Sequence, residues 1–320
     1  AVEDDVVPCG GLGVAALSFG TCCNGDSKSP APVMFTCLVC RSLCIEATQL
    51  EAVELAHRHG FDSVEARADE LARLSEGELQ PLLDDLSAKE LRFGLAGMPI
   101  ELRRDAQRFA DGMRQLPRLA QVLQRCGVTR LGSSIVPFHD ELPYAENFRQ
   151  HIERLGAVAR VLGDHGIRLG LEYCATPTLR RGKPHEFIHS LPQLRELIAA
   201  IGVPNVGLVL DSGHWWMSGS PAAELASLRR DEIVSVDLND APVGVPKDDL
   251  LDRQRELPGA TGVIDLRPFL DGLRRLGYDG PVRAEPFKFP GWREDRESIC
   301  RKAHTALARA LGAGSARVID

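Results

Sequence analysis

A chain of 320 residues with 44% hydrophobic side chains can bury one large core, and α/β barrels reach this length as single domains. Its 38 basic against 45 acidic side chains leave a formal charge of −7, which argues against a nucleic-acid partner. No apolar run approaches the roughly 20 residues that span a bilayer, so no membrane association is expected.

Residues 1–32 hold Gly, Ser, Pro and three cysteines without clear periodicity, and read as an N-terminal extension outside the main fold. The acidic start, AVEDD, lacks the charge pattern of a signal peptide. The nine cysteines are an odd number in a large chain, and most lie in apolar runs. Buried free thiols in a reducing cytosol fit this better than a disulfide framework, so a cytoplasmic protein is expected. Cys37-x-x-Cys40 is the sharpest cysteine pattern and reads as core packing in a strand, with a metal knuckle or redox pair as the minority reading.

From residue 33 to 320 short apolar runs alternate with amphipathic stretches. The first strand is expected in 34–43 and a helix in 48–60, where Ala52, Leu55 and Ala56 share a face and Gly60 suits the C-terminal cap. Strand two spans 61–68. Helical material follows in 71–90, divided or started by Pro81. Strand three (91–100) precedes a helix over 105–127 with a break near Pro117. Strand four (128–137) leads into the longest helix, 144–166. Strand five (167–175), a polar loop (178–190) and a helix (190–202) come next. Strand six (206–213), a helix (221–230), strand seven (232–240), a helix (264–277), strand eight (281–287) and a helix (296–311) complete the pattern. Eight such alternations predict a single-domain (β/α)8 TIM barrel. A doubly wound open sheet usually carries a Gly-rich dinucleotide loop after its first strand, and none is present.

Five of the strands end on an acid: Glu65, Glu172, Asp211, Asp237 and Glu285. The C-terminal strand ends of a barrel surround its active-site mouth, and strands five to eight are neighbours, so the last four acids should converge. Two carboxylates about 5 Å apart repel by roughly 3 kcal/mol at an effective dielectric near 20. Four therefore call for protonation or for a cation among them, and an all-oxygen set favours Mn²⁺ or Mg²⁺. The competing reading is that each acid caps a helix or pairs with an arginine. His214, in the loop beyond strand six, is a candidate substrate partner or metal ligand, and Trp215 could stack on a sugar face or close the core. In the loop after strand five, His185 could reach substrate, although a solvated charge run is the commoner explanation. Arg255 and Glu256 are candidate contacts in RELPGATGVID (255–265), whose glycines and proline suggest a fixed loop over the mouth.

The segments LEYC (171–174), NVGLVLDSGHWWMSG (205–219), VDLNDAP (236–242), LPGATGVIDL (257–266) and GYDGPVRAEPF (277–287) resemble the xylose isomerase-like barrel superfamily, especially its sugar phosphate isomerases/epimerases. The resemblance runs from about residue 34 to the C-terminus. It implies a metal held by Glu, Asp, His and Glu on strands five to eight, which Glu172, Asp211 and Glu285 match. The family's His falls on Asp237 here. A carboxylate suits a hard cation, but its shorter reach and extra charge would change the site, and a weakened or lost metal site is the other outcome. His214 matches a family His that contacts substrate. The implied chemistry is metal-dependent isomerisation or epimerisation of a sugar or polyol, by proton abstraction next to a carbonyl through an enediolate. Glu172 and Glu285 would act as the acid–base pair, and Glu65, His214, Trp215, His185, Arg255 and Glu256 as substrate contacts. The alternatives are a dehydratase of a keto-polyol such as an inosose, or a catalytically silent sugar-binding barrel. A phosphodiesterase of the endonuclease type would need more strand-end histidines. A small sugar or polyol is the expected partner, and a homo-oligomer is compatible with the sequence.

Overall fold

The computed structural model of the chain describes residues 34–103, 105–287 and 294–312. The expected N-terminal extension, 1–32, lies outside the described residues. Eight short apolar runs form strands: β1 Phe35–Leu38, β2 Ser63–Ala66, β3 Arg92–Gly97, β4 Arg130–Ile135, β5 Arg168–Tyr173, β6 Val206–Asp211, β7 Ile233–Leu238 and β8 Pro281–Ala284. Each pairs in parallel with its neighbours in the chain, and β8 pairs with β1, so the sheet closes into a barrel. Every residue of β6 and β7 is buried. One face packs on the surrounding helices and the other fills the interior, so these strands read as apolar runs broken by their acids and by Ser235.

The helices that follow the strands are α1 Gln49–Arg58, α2 Glu76–Ala88, α3 Ala106–Arg125, α4 Tyr144–Asp164, α5 Leu191–Ile201, α6 Ala222–Ala226, α7 Arg267–Leu276 and α8 Arg296–Leu311. Thr48 and Glu51 form a capping box at the start of α1, which satisfies donors that the helix itself leaves free. The expected Gly60 cap lies just beyond the end of α1 at φ 75°, a conformation that favours glycine.

Two expected helix breaks are absent. Pro81 lies within the continuous α2, and Pro117 within the 20-residue α3. Each proline forfeits one backbone hydrogen bond, but burial of the apolar stripe outweighs that loss. In α3 this stripe is Leu116, Leu119, Ala120 and Leu123. The loop 178–190 is also partly ordered. It begins in the helical turn Pro177–Arg180, and His185–Glu186 pairs antiparallel with Phe138–His139. α6 is shorter than the expected 221–230, and a 3-10 turn at Arg230–Glu232 leads into β7.

Cys37 packs inside the barrel with Val39 and Leu95, and Cys40 lies buried in the turn after β1. Burial pushes both thiols up to about 12, so they stay protonated and act as core side chains. The described cysteines are all free. Among the described residues no helix is long and apolar enough to cross a membrane.

Candidate metal centre and active site

Strand register decides which side chains meet inside the barrel. Asp211 on β6 is level with Asp237 on β7, and Asp237 is level with Arg283 on β8. Glu285 lies two residues beyond Arg283 and therefore on the same inward side. Glu172, fifth of the six residues of β5, completes the group. Ligand atoms of Glu172, Asp211, Asp237 and Glu285 all lie within 4.8 Å of one another, and all four residues are buried. The expected convergence of acids from the four neighbouring strands is present.

The acids also have partners. Asp211 caps the short helix Ser212–Ser218, where its Oδ1 accepts the His214 N–H at 2.7 Å. Its Oδ2 accepts from Asn239 Nδ2 at 2.7 Å and from Arg255 Nη1 at 3.0 Å. Gly213 is required in this turn, because a Cβ there would lie 2.3 Å from Asn239 Oδ1. Arg255 Nη2 reaches Glu285 Oε2 at 3.3 Å, and Arg283 Nη2 reaches Glu285 Oε1 at 3.2 Å. Arg283 grips Asp237 with a two-pronged fork, Nε on Oδ1 and Nη2 on Oδ2. Helix capping and arginine pairing, read from sequence as the rival to convergence, therefore accompany it.

Glu172 differs from the other three. Its Oε1 is buried and has no hydrogen-bond partner. Burial, and then the charges of Glu285, Asp237 and Asp211, hold its carboxyl well above the usual range. Burial, with Asp237 beside it, pushes Glu285 up to about 8 despite its two arginines. Burial raises Asp237 as well, against the opposing pull of Arg283. Four carboxylates offset by two guanidinium groups leave a net charge of two minus when all are ionised, which one divalent cation would neutralise. The unpartnered Glu172 oxygen and the all-oxygen donor set suit a hard cation.

His214 is buried, and burial lowers its pKa, so the ring is neutral near pH 7. Nδ1 accepts the Ala175 N–H at 3.2 Å, which leaves the ring proton on Nε2. That nitrogen lies 3.9 Å from Glu172 Oε1 and 3.8 Å from Asp252 Oδ1. Both separations are too long for direct hydrogen bonds.

Other candidate contacts lie elsewhere. Trp215 is not a sugar platform: it is buried in the core, with its ring 5.6 Å from that of Phe269 on α7. His185 sits opposite His139 in the short ladder and is not brought to the acids. Its neighbours Arg180, Arg181 and Lys183 pair with Glu186, Asp249 and Asp140, as a solvated charge run would. Glu256 bonds through its backbone to Asp240, with N–H···O distances of 2.8 and 2.9 Å. Glu65 is separate from the four-acid group, and burial raises its pKa. It walls a cavity of about 820 Å³ at the mouth, together with Arg41, Arg67, Met98, Arg253 and Phe287.

Sequence reasoning missed Arg283, Asn239, Asp240 and Asp252. Arg283 was findable, because residues two apart on a strand share a face and Glu285 was already assigned inward. Asp240 fixes the mouth loop. Its Oδ2 accepts the N–H groups of Thr261 and Gly262 at 2.9 and 2.8 Å, and its Oδ1 accepts those of Ile264 and Ala241 at 2.9 and 2.8 Å.

Comparison with known proteins agrees with this architecture. A curated relative, the inosose isomerase of Bacillus velezensis, is 26% identical over 259 residues, covering 77% of this chain and 88% of the relative. A solved xylose isomerase domain protein from Alicyclobacillus acidocaldarius is 31% identical with a TM-score of 0.79, covering 88% of this chain and 99% of its own. The IolI protein, solved with a bound zinc atom, superposes with a TM-score of 0.73 at 20% identity, covering 87% of this chain and 98% of its own. The sequence pattern described as the xylose isomerase-like TIM barrel matches residues 53–308, and the chain belongs to that family.

Proposed function

We propose that this barrel is a metal-dependent isomerase or epimerase of a sugar or sugar-like polyol, working by proton abstraction next to a carbonyl. The observation that carries this reading is the buried acid cluster, in which Glu172 keeps an oxygen without a partner. Glu172, Asp211 and Glu285 would hold a divalent cation, Mn²⁺ or Mg²⁺, with Asp237 beside them. Such an ion, when bound, would polarise the carbonyl and hydroxyl oxygens of an α-hydroxy ketone and offset the charge that develops as the proton leaves.

The remaining roles belong to the chain itself. Glu172 takes the α proton, and Glu285 supplies one to the opposite side of the same carbon. His214 Nε2–H donates to a substrate hydroxyl bound beside Glu172 and Asp252. Arg255 holds the Asp211 and Glu285 carboxylates in place, and the Asp240-anchored loop carries Arg255 over the mouth. Glu65 and the adjoining cavity receive the rest of the polyol.

The relative named inosose isomerase supports a polyol ketone as substrate class. The test is exchange of the α proton with D2O, screened over ketohexoses and inososes. Glu172→Gln and Glu285→Gln should each lower turnover by at least a thousandfold while leaving the fold intact. Full activity in either variant would remove the acid–base pair. A second reading, a silent sugar-binding barrel, is favoured by the arginines that already engage three of the acids. Saturable sugar binding without metal and without any proton exchange would select it.

A further inference from the structure

Asp237 and Arg283 are register neighbours on adjacent strands, so the backbone fixes how far apart they can be. The Asp237 side chain is fully buried and that of Arg283 nearly so. Both carboxylate oxygens of Asp237 accept from the guanidinium, one from Nε and one from Nη2. This bidentate geometry is the strongest that an arginine makes with a carboxylate. The remaining reach of Arg283 goes to Glu285 Oε1 at 3.2 Å. Arg255 makes a single contact to Asp211 Oδ2 and a single contact to Glu285 Oε2, whereas a cation bound directly to Asp237 would have to displace a guanidinium that holds both of its oxygens. Glu172 has no such neighbour within hydrogen-bonding distance, and its free oxygen faces the same cluster.

We propose that Arg283 is a positioning residue that withdraws Asp237 from the ligand set, so that Glu172, Asp211 and Glu285 supply the metal-binding carboxylates and the Asp237–Arg283 pair forms a neutral wall of the site. The proposal rests on the metal reading above and deepens it. The pair sets how tightly a cation is held: it adds no net charge, and Arg283 keeps one oxygen of Glu285 partly occupied. Affinity for a hard divalent ion is therefore lower than four free carboxylates would give.

The test is Mn²⁺ binding to the metal-stripped full chain, followed by calorimetry and by the electron-spin resonance signal of free Mn²⁺. Arg283→Met removes the competing charge and frees Asp237, and should tighten Mn²⁺ binding about tenfold or more. The double variant Asp237→Asn with Arg283→Met replaces a neutral pair by a neutral pair and should bind within fivefold of the native chain. A larger loss in the double variant makes Asp237 a direct ligand and overturns the proposal. So does unchanged or weaker binding in a folded Arg283→Met. If Arg283→Met does not fold, the double variant, which leaves no buried charge unpaired, decides alone. Should neither the native chain nor any variant bind Mn²⁺, the metal reading itself fails. That outcome differs from measurable native binding lost in the double variant, where only the role of Arg283 is refuted.

Discussion

At the scale of single residues, the site depends on unequal treatment of chemically similar groups. Asp211, Asp237 and Glu285 are each tied to a guanidinium, whereas Glu172 is left with a bare oxygen beside the Nε2–H of His214. The sequence shows acids at strand ends but not which of them is free, because that depends on cross-strand register. His214→Phe keeps the ring volume and the backbone N–H that Asp211 accepts, but removes the donor facing Glu172. It also strands the buried Ala175 N–H that Nδ1 accepts, so it should cost about 1–3 kcal/mol of stability as well as lowering kcat/KM by 10- to 1000-fold, as thermal melts and steady-state kinetics of the folded variant can check. A variant as active as the native chain would show that His214 contacts no substrate. Trp215 has two readings in the sequence, a sugar platform or a core side chain, and the short helix that Asp211 caps sets its indole against Phe269 in the core.

At the scale of elements, alternation of apolar runs and amphipathic stretches was enough to place all eight strands and the helices between them. What could not be read was the fate of prolines and loops. Local rules make Pro81 and Pro117 helix breakers, yet both helices run on through them, because burial of a stripe of leucines is a tertiary gain that no local rule contains. The loop after β7 was expected to be fixed by its glycines and proline. Its main anchor is Asp240, whose carboxylate accepts four backbone N–H groups. Asp240→Ala leaves those donors without a partner and should cost roughly 2–4 kcal/mol of stability. By loosening residues 261–264 of the mouth loop it should also raise KM. Denaturant unfolding together with kinetics checks both effects, and unaltered stability would contradict the anchoring role.

At the scale of the whole molecule, the crowded acids impose a pH dependence on the metal-free protein. The folded pKa of Glu285 is raised to about 8 by burial and by Asp237, and Glu172 is raised by burial and its carboxylate neighbours. Unfolded carboxyls lose their protons near pH 4.3. Between the two values the folded state holds more protons, so stability falls as pH rises. The buried histidines act in the other direction. Burial lowers His151 to about 4 and also lowers His214 and His304, so these groups remove stability only as pH drops below about 6.5. From pH 7 to 8 the carboxyls therefore dominate, at roughly 1 kcal/mol per pH unit for each one held protonated. The melting temperature of the stripped protein should fall by a few degrees over that interval, and saturating Mn²⁺ should abolish the slope.

The most direct measurement is Mn²⁺ titration of the stripped protein while deuterium uptake from solvent into a ketose or inosose substrate is followed. The account predicts that uptake rises with one bound ion per chain, disappears on chelation and is absent in Glu172→Gln. Uptake that proceeds unchanged in excess chelator, or a protein that binds no divalent ion under any condition, would contradict it.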